Sequence, residues 1–431
     1  MKRDYLESVR AELDKCVKCA SCQAGCFTYE LSASETLNAR GKIRLAQGVL
    51  EEELKISPRL ENDFSKCLSC MNCVTACPSG VDTMKVFAAT RAVIQNQRGS
   101  GLIAGFIFKW ILPHPNRLNL LAKIVGLGSI PYKLAPKWLA RFLPFSPDGI
   151  KRVTPNFLQR NLRSMVGEIN KPKGSGDKNK AKRALFFSGC MTDLAFPQTG
   201  LRVIEKLQEA GLEVIFPNDQ TCCGAPTYYS GDMETSKLLA QKNMEAIMAY
   251  NPDYIVYSCA TCGSVLGETY PKLFPGDERV MEFAEKVIDF QKFLFELKVR
   301  PVLESVSGEK LKVTYHDPCH LKRGMGVHEE PREFIKSLPN VEYIEMEGAD
   351  RCCGGSGTFA LKHYGMSMDI GKYKADMVKK SGADIVVTAC PSCQLQLADS
   401  LNRFGVDVPV AHTADLLEYA MEVGERERVG K

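Results

Sequence analysis

The sequence predicts an α/β protein with a small helical domain at its N-terminus and two copies of a cysteine-rich α/β domain after it. Two observations lead to this fold class. The spacing C-x2-C-x2-C-x3-C occurs twice near the N-terminus, as CVKCASCQAGC and as CLSCMNCVTAC. Three longer cysteine-containing segments then each occur twice, in the same order, in the C-terminal half. Internal repeats of this kind define the domains before any helix or strand is assigned.

The N-terminal repeat contains eight cysteines, namely Cys16, Cys19, Cys22, Cys26, Cys67, Cys70, Cys73 and Cys77. In bacterial two-cluster ferredoxins this spacing lets three neighbouring thiolates bind one 4Fe–4S cluster, while the fourth binds the other cluster. We predict a first N-terminal set of Cys16, Cys19, Cys22 and Cys77, and a second N-terminal set of Cys26, Cys67, Cys70 and Cys73. Zinc knuckles are the alternative, but zinc sites usually pair two C-x-x-C elements. Residues 1–97 are therefore predicted to be a ferredoxin-like domain.

A basic segment follows this domain. No acidic residue occurs between Asp82 and Asp148, a stretch that carries nine lysines and arginines among apolar and aromatic residues. Its longest apolar run, GLIAGFIFKWILP, is shorter than the ~20 residues that span a bilayer. We expect residues 98–183 to form a helical connector ending in a flexible lysine-rich linker over 171–183. Residues 98–146 either bind a membrane surface or membrane protein, or pack their apolar face on the protein itself.

The second repeat fills the C-terminal half of the chain. LFFSGCMTD corresponds to VTYHDPCHL, NDQTCCGAP to ADRCCGGSG, and YIVYSCATCGSVL to IVVTACPSCQLQL. The intervals between corresponding cysteines differ by one residue at most. We therefore predict two related domains, over residues 184–307 and 308–431.

Each copy reads as alternating strands and helices. Short β-branched and aromatic runs end in cysteine-containing loops, and helical segments such as LRVIEKLQEAG follow. The predicted strands are 184–187, 214–216 and 254–257 in the first copy, and 313–315 and 385–388 in the second. This order is typical of a parallel sheet whose ligands bind at the carboxyl ends of its strands. The cysteines of each copy are therefore expected at one edge of its sheet.

The remaining ten cysteines divide into two sets of five. The first C-terminal set is Cys190, Cys222, Cys223, Cys259 and Cys262, and the second C-terminal set is Cys319, Cys352, Cys353, Cys390 and Cys393. Five converging thiolates exceed what one tetrahedral zinc ion binds, so each set favours a multi-iron cluster. We expect one or two further iron–sulfur clusters in these domains.

Two other motifs admit two interpretations each. In HDPCH, His316 and His320 either interact with the nearby cluster or are strand-end histidines satisfied by the backbone, and we favour the second. The sequence GSGTFA at 355–360 fits a dinucleotide fingerprint, but it follows a cysteine pair where the fingerprint requires the end of a strand. We interpret it as a glycine-rich cluster loop, so the chain has no evident flavin or nicotinamide site of its own.

Composition indicates the compartment. The first fifteen residues are charged throughout and lack the apolar region of a signal peptide, and eighteen cysteines with short regular spacings argue against disulfides. We therefore expect a cytoplasmic protein, with peripheral binding to the inner face of the cell membrane as an option. The net charge of +5 is too small to indicate nucleic acid.

The whole chain resembles the iron–sulfur subunits of glycolate oxidase and of related lactate dehydrogenases. The resemblance is carried by ARGKIRLAQGVLEEE, by CLSCMNCVTACPSGV and by CCGGSGTFAL. The two five-cysteine repeats are similar to the "CCG" domains found in the B and D components of heterodisulfide reductase, in which complete motifs carry clusters that cleave a disulfide.

The resemblance implies an electron-transfer subunit. A separate FAD-containing dehydrogenase subunit would oxidise glycolate or D-lactate, and this chain would pass the electrons toward a quinone or another membrane-linked acceptor. In that case it is part of an oxidoreductase without holding the flavin, and no catalytic residue is assigned. The alternative is a protein like heterodisulfide reductase D, which reduces a thiol–disulfide substrate at its CCG clusters.

Overall fold

A computed structural model of the chain describes residues 4–135, 150–173, 181–297, 310–416 and 418–419. The end of the predicted connector surface, the middle of the lysine-rich linker and the predicted domain boundary at 307–308 lie outside these residues. Within them, the predicted fold class is confirmed: a helical N-terminal region precedes two α/β domains with mostly parallel sheets.

The N-terminal domain is built from seven helices: α1 (Asp4–Glu7), α2 (Arg10–Asp14), α3 (Phe27–Ser32), α4 (Ala39–Leu50), α5 (Pro58–Ser65), α6 (Asn72–Thr75) and α7 (Thr83–Arg98). Side chains cap the longer helices, because Asn38 accepts a hydrogen bond from the Gly41 N–H and Asp82 accepts one from the Lys85 N–H. Helices α4 and α7 pack on each other around a core that includes Ile43 and Phe87. The cysteine loops lie on the outside of this core.

The connector begins with α8 (Leu102–Phe106), continues through a π-helical turn (Ile107–Ile111) and ends with α9 (Pro115–Leu134). Phe108 and Leu112 pack into the core of the first α/β domain. The opposite face carries exposed apolar side chains, namely Leu102, Ile103, Phe106, Trp110, Leu120, Ile124, Val125, Leu127 and Leu134. Among the residues described, no helix combines the length and apolar character that crossing a membrane requires.

The first α/β domain has a five-stranded sheet in the order β1-β3-β2-β4-β5. Its strands are β1 (Ile169–Asn170), β2 (Arg183–Phe187), β3 (Glu213–Ile215), β4 (Tyr254–Tyr257) and β5 (Val287–Asp289). Strand β1 is antiparallel to its neighbour β3, and the other pairings of this sheet are parallel. The helices are α10 (Gly189–Leu194), α11 (Pro197–Glu209), α12 (Ala225–Tyr228), α13 (Met233–Met248), α14 (Ala260–Ser264), α15 (Tyr270–Leu273), α16 (Glu278–Glu285) and α17 (Phe290–Glu296).

The second α/β domain has a four-stranded, fully parallel sheet in the order β7-β6-β8-β9. Its strands are β6 (Leu311–His316), β7 (Val341–Tyr343), β8 (Ile385–Thr388) and β9 (Val410–His412). Its helices are α18 (Glu329–Lys336), α19 (Phe359–Lys362), α20 (Tyr364–Ser381) and α21 (Pro391–Arg403). The order repeats that of β3-β2-β4-β5, as expected of two copies of one unit.

The predicted strands match the observed ones closely where the strand is central. The predictions at 254–257 and 385–388 coincide with β4 and β8, whereas β6 extends two residues earlier and one later than predicted. Four observed strands, β1, β5, β7 and β9, were not predicted. Each lies at the edge of its sheet and has two or three residues, too few for a periodic pattern.

The two α/β domains face each other across a shared core. Phe290 and Phe293 of the first domain and Tyr315 and Ile335 of the second belong to one buried cluster. At the cysteine edge, the Ala260 N–H donates a hydrogen bond to the Ala389 carbonyl. The carboxyl ends of β4 and β8 therefore meet, and this contact brings the two C-terminal cysteine sets together.

Candidate metal centres

The first N-terminal set lies around a cavity of about 340 Å³ on the N-terminal domain. Cys16, Cys19, Cys22 and Cys77 all line this cavity, and Cys73 reaches its wall. Cys19 is the one exposed thiol among the eighteen cysteines. The four cysteines predicted to share one cluster are therefore brought together, and they lie at the surface of the molecule.

The second N-terminal set lies deeper. The thiol of Cys73 lies within electrostatic reach of Cys67, Cys70 and Cys26, and burial raises its pKa well above the usual value. Burial also raises the pKa of Cys70 to about 12. Cys26 is therefore near the cysteines of the other motif, as the crossed ferredoxin pattern requires.

Two buried cations surround the second N-terminal set. Lys42 is fully buried, its Nζ donates to the Thr36 carbonyl at 3.0 Å, and burial lowers its pKa to about 8. The Arg91 guanidinium donates to the carbonyls of Phe64 and Cys67. Buried cations are stabilised by nearby negative charge. These residues suit a site that holds an anionic cluster.

The first C-terminal set follows the carboxyl ends of β2, β3 and β4. Hydrogen bonds join its thiols in the series Cys190, Cys222, Cys223, Cys262 and Cys259. The hydrogen bonds from Cys222 and Cys262 lower the pKa of the Cys223 thiol. Two glycines shape this site: Gly224 has φ +95°, and a Cβ on Gly189 would lie 2.6 Å from the Cys262 Sγ.

The second C-terminal set repeats this arrangement after β6, β7 and β8. Its thiols form the series Cys319, Cys352, Cys353, Cys393 and Cys390. Hydrogen bonds from Cys319 and Cys353 lower the pKa of Cys352. In this domain, too, the cysteine pair precedes a glycine with positive φ, Gly354 at +88°.

The sets also contact one another. Cys259 and Cys390 form a hydrogen-bonded pair, which joins the first and second C-terminal sets directly. Cys70 packs against a small cluster that includes Cys319 and Cys352. The thiols therefore form one continuous series from the N-terminal domain through the second α/β domain to the first.

Comparison with known proteins decides the family. Residues 12–81 match the 4Fe–4S dicluster domain family, and residues 184–267 and 313–398 match the cysteine-rich CCG domain family. The probable glycolate oxidase iron–sulfur subunit of Bacillus subtilis is 33% identical over 425 residues, which are 94% of this chain and 93% of that protein. The chain belongs to the glycolate oxidase iron–sulfur subunit family.

Other relatives match part of the chain. The CoM/CoB fumarate reductase of Methanothermobacter marburgensis contains a polypeptide that is 37% identical over 61% of this chain and 53% of its own length. Lactate utilization protein A of Oceanobacillus iheyensis is 32% identical over 56% of this chain and 99% of its own length. Among solved structures, glutamate racemase of Francisella tularensis aligns over 57% of this chain and 82% of its own at 14% identity, with a TM-score of 0.22 that supports no argument.

This member of the glycolate oxidase iron–sulfur subunit family has the donor groups that its clusters need. The N-terminal domain is a 4Fe–4S dicluster domain with eight cysteines, and each CCG domain carries a cysteine cluster. Each of the ten thiols in the CCG domains is hydrogen-bonded to another cysteine thiol. Soft thiolates packed this densely suit iron and sulfide.

The HDPCH motif of this family member divides its roles. Asp317 accepts two hydrogen bonds from Arg332, at 2.9 and 2.7 Å, so its role is a buried ion pair. His320 Nε2 lies 3.0 Å from the Tyr229 hydroxyl, and its Nδ1 is 3.9 Å from the Cys319 Sγ. His316 bonds the Ala349 carbonyl through Nδ1, but its Nε2 is buried and makes no hydrogen bond to any residue that the structure describes. Backbone contacts therefore satisfy only half of the His316 ring.

The GSGTFA sequence lies in the loop between β7 and α19. The loop follows the Cys352–Cys353 pair and does not continue directly from a strand, as a dinucleotide fingerprint would require. Gly355 lies against the Cys353 Sγ, where an added Cβ would be 3.5 Å away. This geometry fits a loop that surrounds the cysteine cluster.

Sequence reasoning missed the buried cations near the clusters. Lys42, Arg91 and Lys374 have no motif of their own, and each is brought inward by helix packing. The lack of an acidic partner at helical spacing from Lys42 in GKIRLAQG is a weak signal for its burial.

Proposed function

We propose that this chain is the electron-transfer subunit of a flavin-dependent 2-hydroxyacid dehydrogenase, with glycolate or D-lactate as the substrate of an FAD-containing partner. The family membership supports the iron–sulfur role, and the continuous series of thiols carries the proposal. Such a series suits conduction, because one-electron carriers must lie close together. The electrons would leave toward a quinone or another membrane-linked acceptor.

The proposed ligands are the eighteen cysteines in their four sets. Cys16, Cys19, Cys22 and Cys77 would hold one 4Fe–4S cluster, and Cys26, Cys67, Cys70 and Cys73 would hold the other. The two C-terminal sets would each hold a further cluster. When bound, such clusters accept and release single electrons at potentials that their surroundings tune. The protein contributes the order of the sets and the buried cations beside them.

The two ends of the series differ in their surroundings. At one end, Cys19 is exposed beside Val17, whose side chain is 69% exposed, so a partner protein has direct access to the first N-terminal set. At the other end, a cavity of about 290 Å³ is lined by Cys190 and Cys222 together with Pro115 and Leu118 of the connector. We assign the flavoprotein to the Cys19 end and the acceptor to the connector end.

The connector supports a membrane-linked acceptor. Its exposed face combines apolar side chains with the basic residues Lys109, Arg117, Lys123 and Lys133, and acidic residues are absent from residues 83 to 147. An apolar face flanked by cations is what binds anionic lipid at the interface. This surface would hold the connector end of the series next to the bilayer.

The experiment uses anaerobically purified holoprotein with its co-purifying flavoprotein. Adding glycolate or D-lactate should bleach the iron–sulfur absorbance, and a quinone analogue in vesicles should restore it. In the Cys223→Ser variant, bleaching of both N-terminal clusters should persist while reoxidation by quinone slows. Unchanged iron and unchanged reoxidation in this variant would contradict the assignment of the first C-terminal set.

The alternative function is reduction of a thiol–disulfide substrate at the CCG domains. Both five-cysteine sets are complete, and they meet at Cys259 and Cys390, which favours a two-cluster site of this kind. A disulfide would then reoxidise the dithionite-reduced protein without flavoprotein or quinone. That result, together with no bleaching by 2-hydroxyacids, would replace the conduction proposal.

A further inference from the structure

His316 ends strand β6, and its ring lies among cysteines of the second C-terminal set. The side chain is fully buried. One ring nitrogen of His316 and the Sγ atoms of Cys353 and Cys393 all lie within 4.8 Å of one another. These three donors come from three different segments, so the fold, and not sequence proximity, brings them together.

The hydrogen bonds of the ring determine which nitrogen is available. Nδ1 lies 3.1 Å from the Ala349 carbonyl, which can only accept, so Nδ1 carries the ring proton. The same carbonyl also accepts from the Asp317 N–H at 3.0 Å and from Lys374 Nζ at 2.9 Å. Three donors therefore hold this carbonyl in place, and it in turn holds the imidazole.

The other nitrogen, Nε2, keeps its lone pair. It is buried, and no described residue makes a hydrogen bond to it. A buried polar atom without a partner costs free energy, so such an atom needs an explanation. Histidines that bind metals characteristically donate their other ring N–H to a carboxylate or a backbone carbonyl, which is the arrangement of His316 and Ala349.

We propose that Nε2 of His316 is a sixth ligand, to an iron of the cluster held by Cys319, Cys352, Cys353, Cys390 and Cys393. This inference rests on the ligand assignment proposed above for that set. It adds a nitrogen donor to a site that the sequence motif describes by thiolates alone.

The two CCG domains differ at this position. The residue three positions before the first cysteine is His316 in the second domain and Phe187 in the first, and the Phe187 side chain is fully buried in the apolar core. Replacing thiolate by neutral imidazole raises the reduction potential of an iron–sulfur cluster. The nitrogen ligand would therefore make the second set a better electron acceptor than an otherwise similar all-thiolate first set.

The test is pulsed electron paramagnetic resonance on anaerobically purified, full-length holoprotein, with and without ¹⁵N-histidine. Iron, zinc and sulfide are counted in the same samples, and ⁵⁷Fe Mössbauer spectra cover oxidation states that are not paramagnetic. We expect a histidine nitrogen coupling that disappears in His316→Phe, the residue found in the first domain, and also in His316→Gln. The coupling should persist in His320→Phe, which leaves His316 unaltered.

Several outcomes would overturn the inference. A coupling that survives in both His316 variants, or that is lost only in His320→Phe, assigns the nitrogen elsewhere. Unchanged Mössbauer spectra in the His316 variants mean that His316 binds no iron. Zinc in place of iron in this set, or only the eight irons of two 4Fe–4S clusters in the wild-type protein, shows instead that the cluster assignment beneath the inference is wrong.

Discussion

At the residue scale, glycines determine whether the thiols can approach one another. Gly189 has φ +66°, and a Cβ at this position would lie 2.6 Å from the Cys262 Sγ, closer than van der Waals contact permits. Gly211, between α11 and β3, also has positive φ, +85°, but nothing lies within 4 Å of a Cβ there. The two positions therefore separate backbone strain from obstruction of the cysteine site.

We expect Gly189→Ala to remove the cluster of the first C-terminal set, because the added methyl displaces Cys262. Gly211→Ala should keep all iron and lower the free energy of unfolding by only about 1–2 kcal/mol, the cost of a left-handed alanine. Iron and sulfide counts with chemical denaturation of each variant check this. Full iron in Gly189→Ala would mean that Cys262 is not held where the structure has it.

Buried charge is the other property of single residues that matters here. Lys42 is fully buried near Cys26 and Cys67 and keeps its proton at neutral pH, because its pKa is about 8. A nearby cation stabilises the more negative, reduced state of a cluster. Its removal should therefore lower the reduction potential of the second N-terminal set.

The change Lys42→Met tests this effect in a redox titration followed by electron paramagnetic resonance. A decrease of roughly 60 mV, equivalent to about 1.4 kcal/mol for one electron, is expected for a charge in partly screened surroundings. Arg44→Gln is the matched control, since Arg44 lies on the same helix and is exposed next to Glu53. Equal shifts in both variants would contradict a local effect of Lys42.

At the scale of elements, the connector shows how one helical segment serves two surfaces. Phe108 and Leu112 anchor it to the first CCG domain, which leaves the remaining apolar side chains on the outside. The packing alternative left open by the sequence therefore applies to one face only. The outer face retains the combination of apolar and basic residues that suits an anionic lipid surface.

We expect the triple variant Lys109→Gln, Lys123→Gln and Lys133→Gln to bind anionic vesicles more weakly at low salt. At about 1 kcal/mol for each lysine near a charged bilayer, the loss is roughly a hundredfold in affinity. Flotation with vesicles of increasing salt concentration measures it. The control removes three exposed lysines of α20, Lys372, Lys379 and Lys380, in the same way. Equal losses in both variants would indicate nonspecific charge attraction.

The elements that sequence analysis identified are those with a strong local signal. Strands β2, β4, β6 and β8 are central and buried, so continuous apolar runs mark them. The edge strands are short and include polar residues, as in β7 (VEY). Their position depends on pairing with a central strand, which local sequence does not encode.

At the scale of the whole molecule, docking of the N-terminal domain on the second CCG domain brings Cys70 to Cys319 and Cys352. Arg351 lies between two rings, 4.2 Å from the Phe27 centroid and 4.1 Å from the Tyr373 centroid, and its guanidinium pairs with Glu30. Ser65 and His363 form a further contact at 2.8 Å. The interface is small and partly polar, so single contacts within it matter.

The variant Tyr373→Leu removes one ring of this stack without changing a proposed ligand. A loss of about 1–2 kcal/mol is expected, which raises the undocked population roughly tenfold. Stopped-flow reduction should then show slower reduction of the CCG clusters after the N-terminal clusters, with unchanged iron. Tyr343→Leu in the same domain, away from this interface, is the control, and equal rates in the two variants would contradict the docking role.

The sequence alone determined the family resemblance, the fold class and the cysteine inventory, because ligand spacing and strand patterns are local properties of the chain. Only the tertiary structure decided that the sets join into one series through Cys259 and Cys390 and through Cys70. It also decided that His316 directs an unpartnered nitrogen at Cys353 and Cys393, among the residues that the structure describes. These contacts link residues far apart in sequence, and the packing of whole domains determines them.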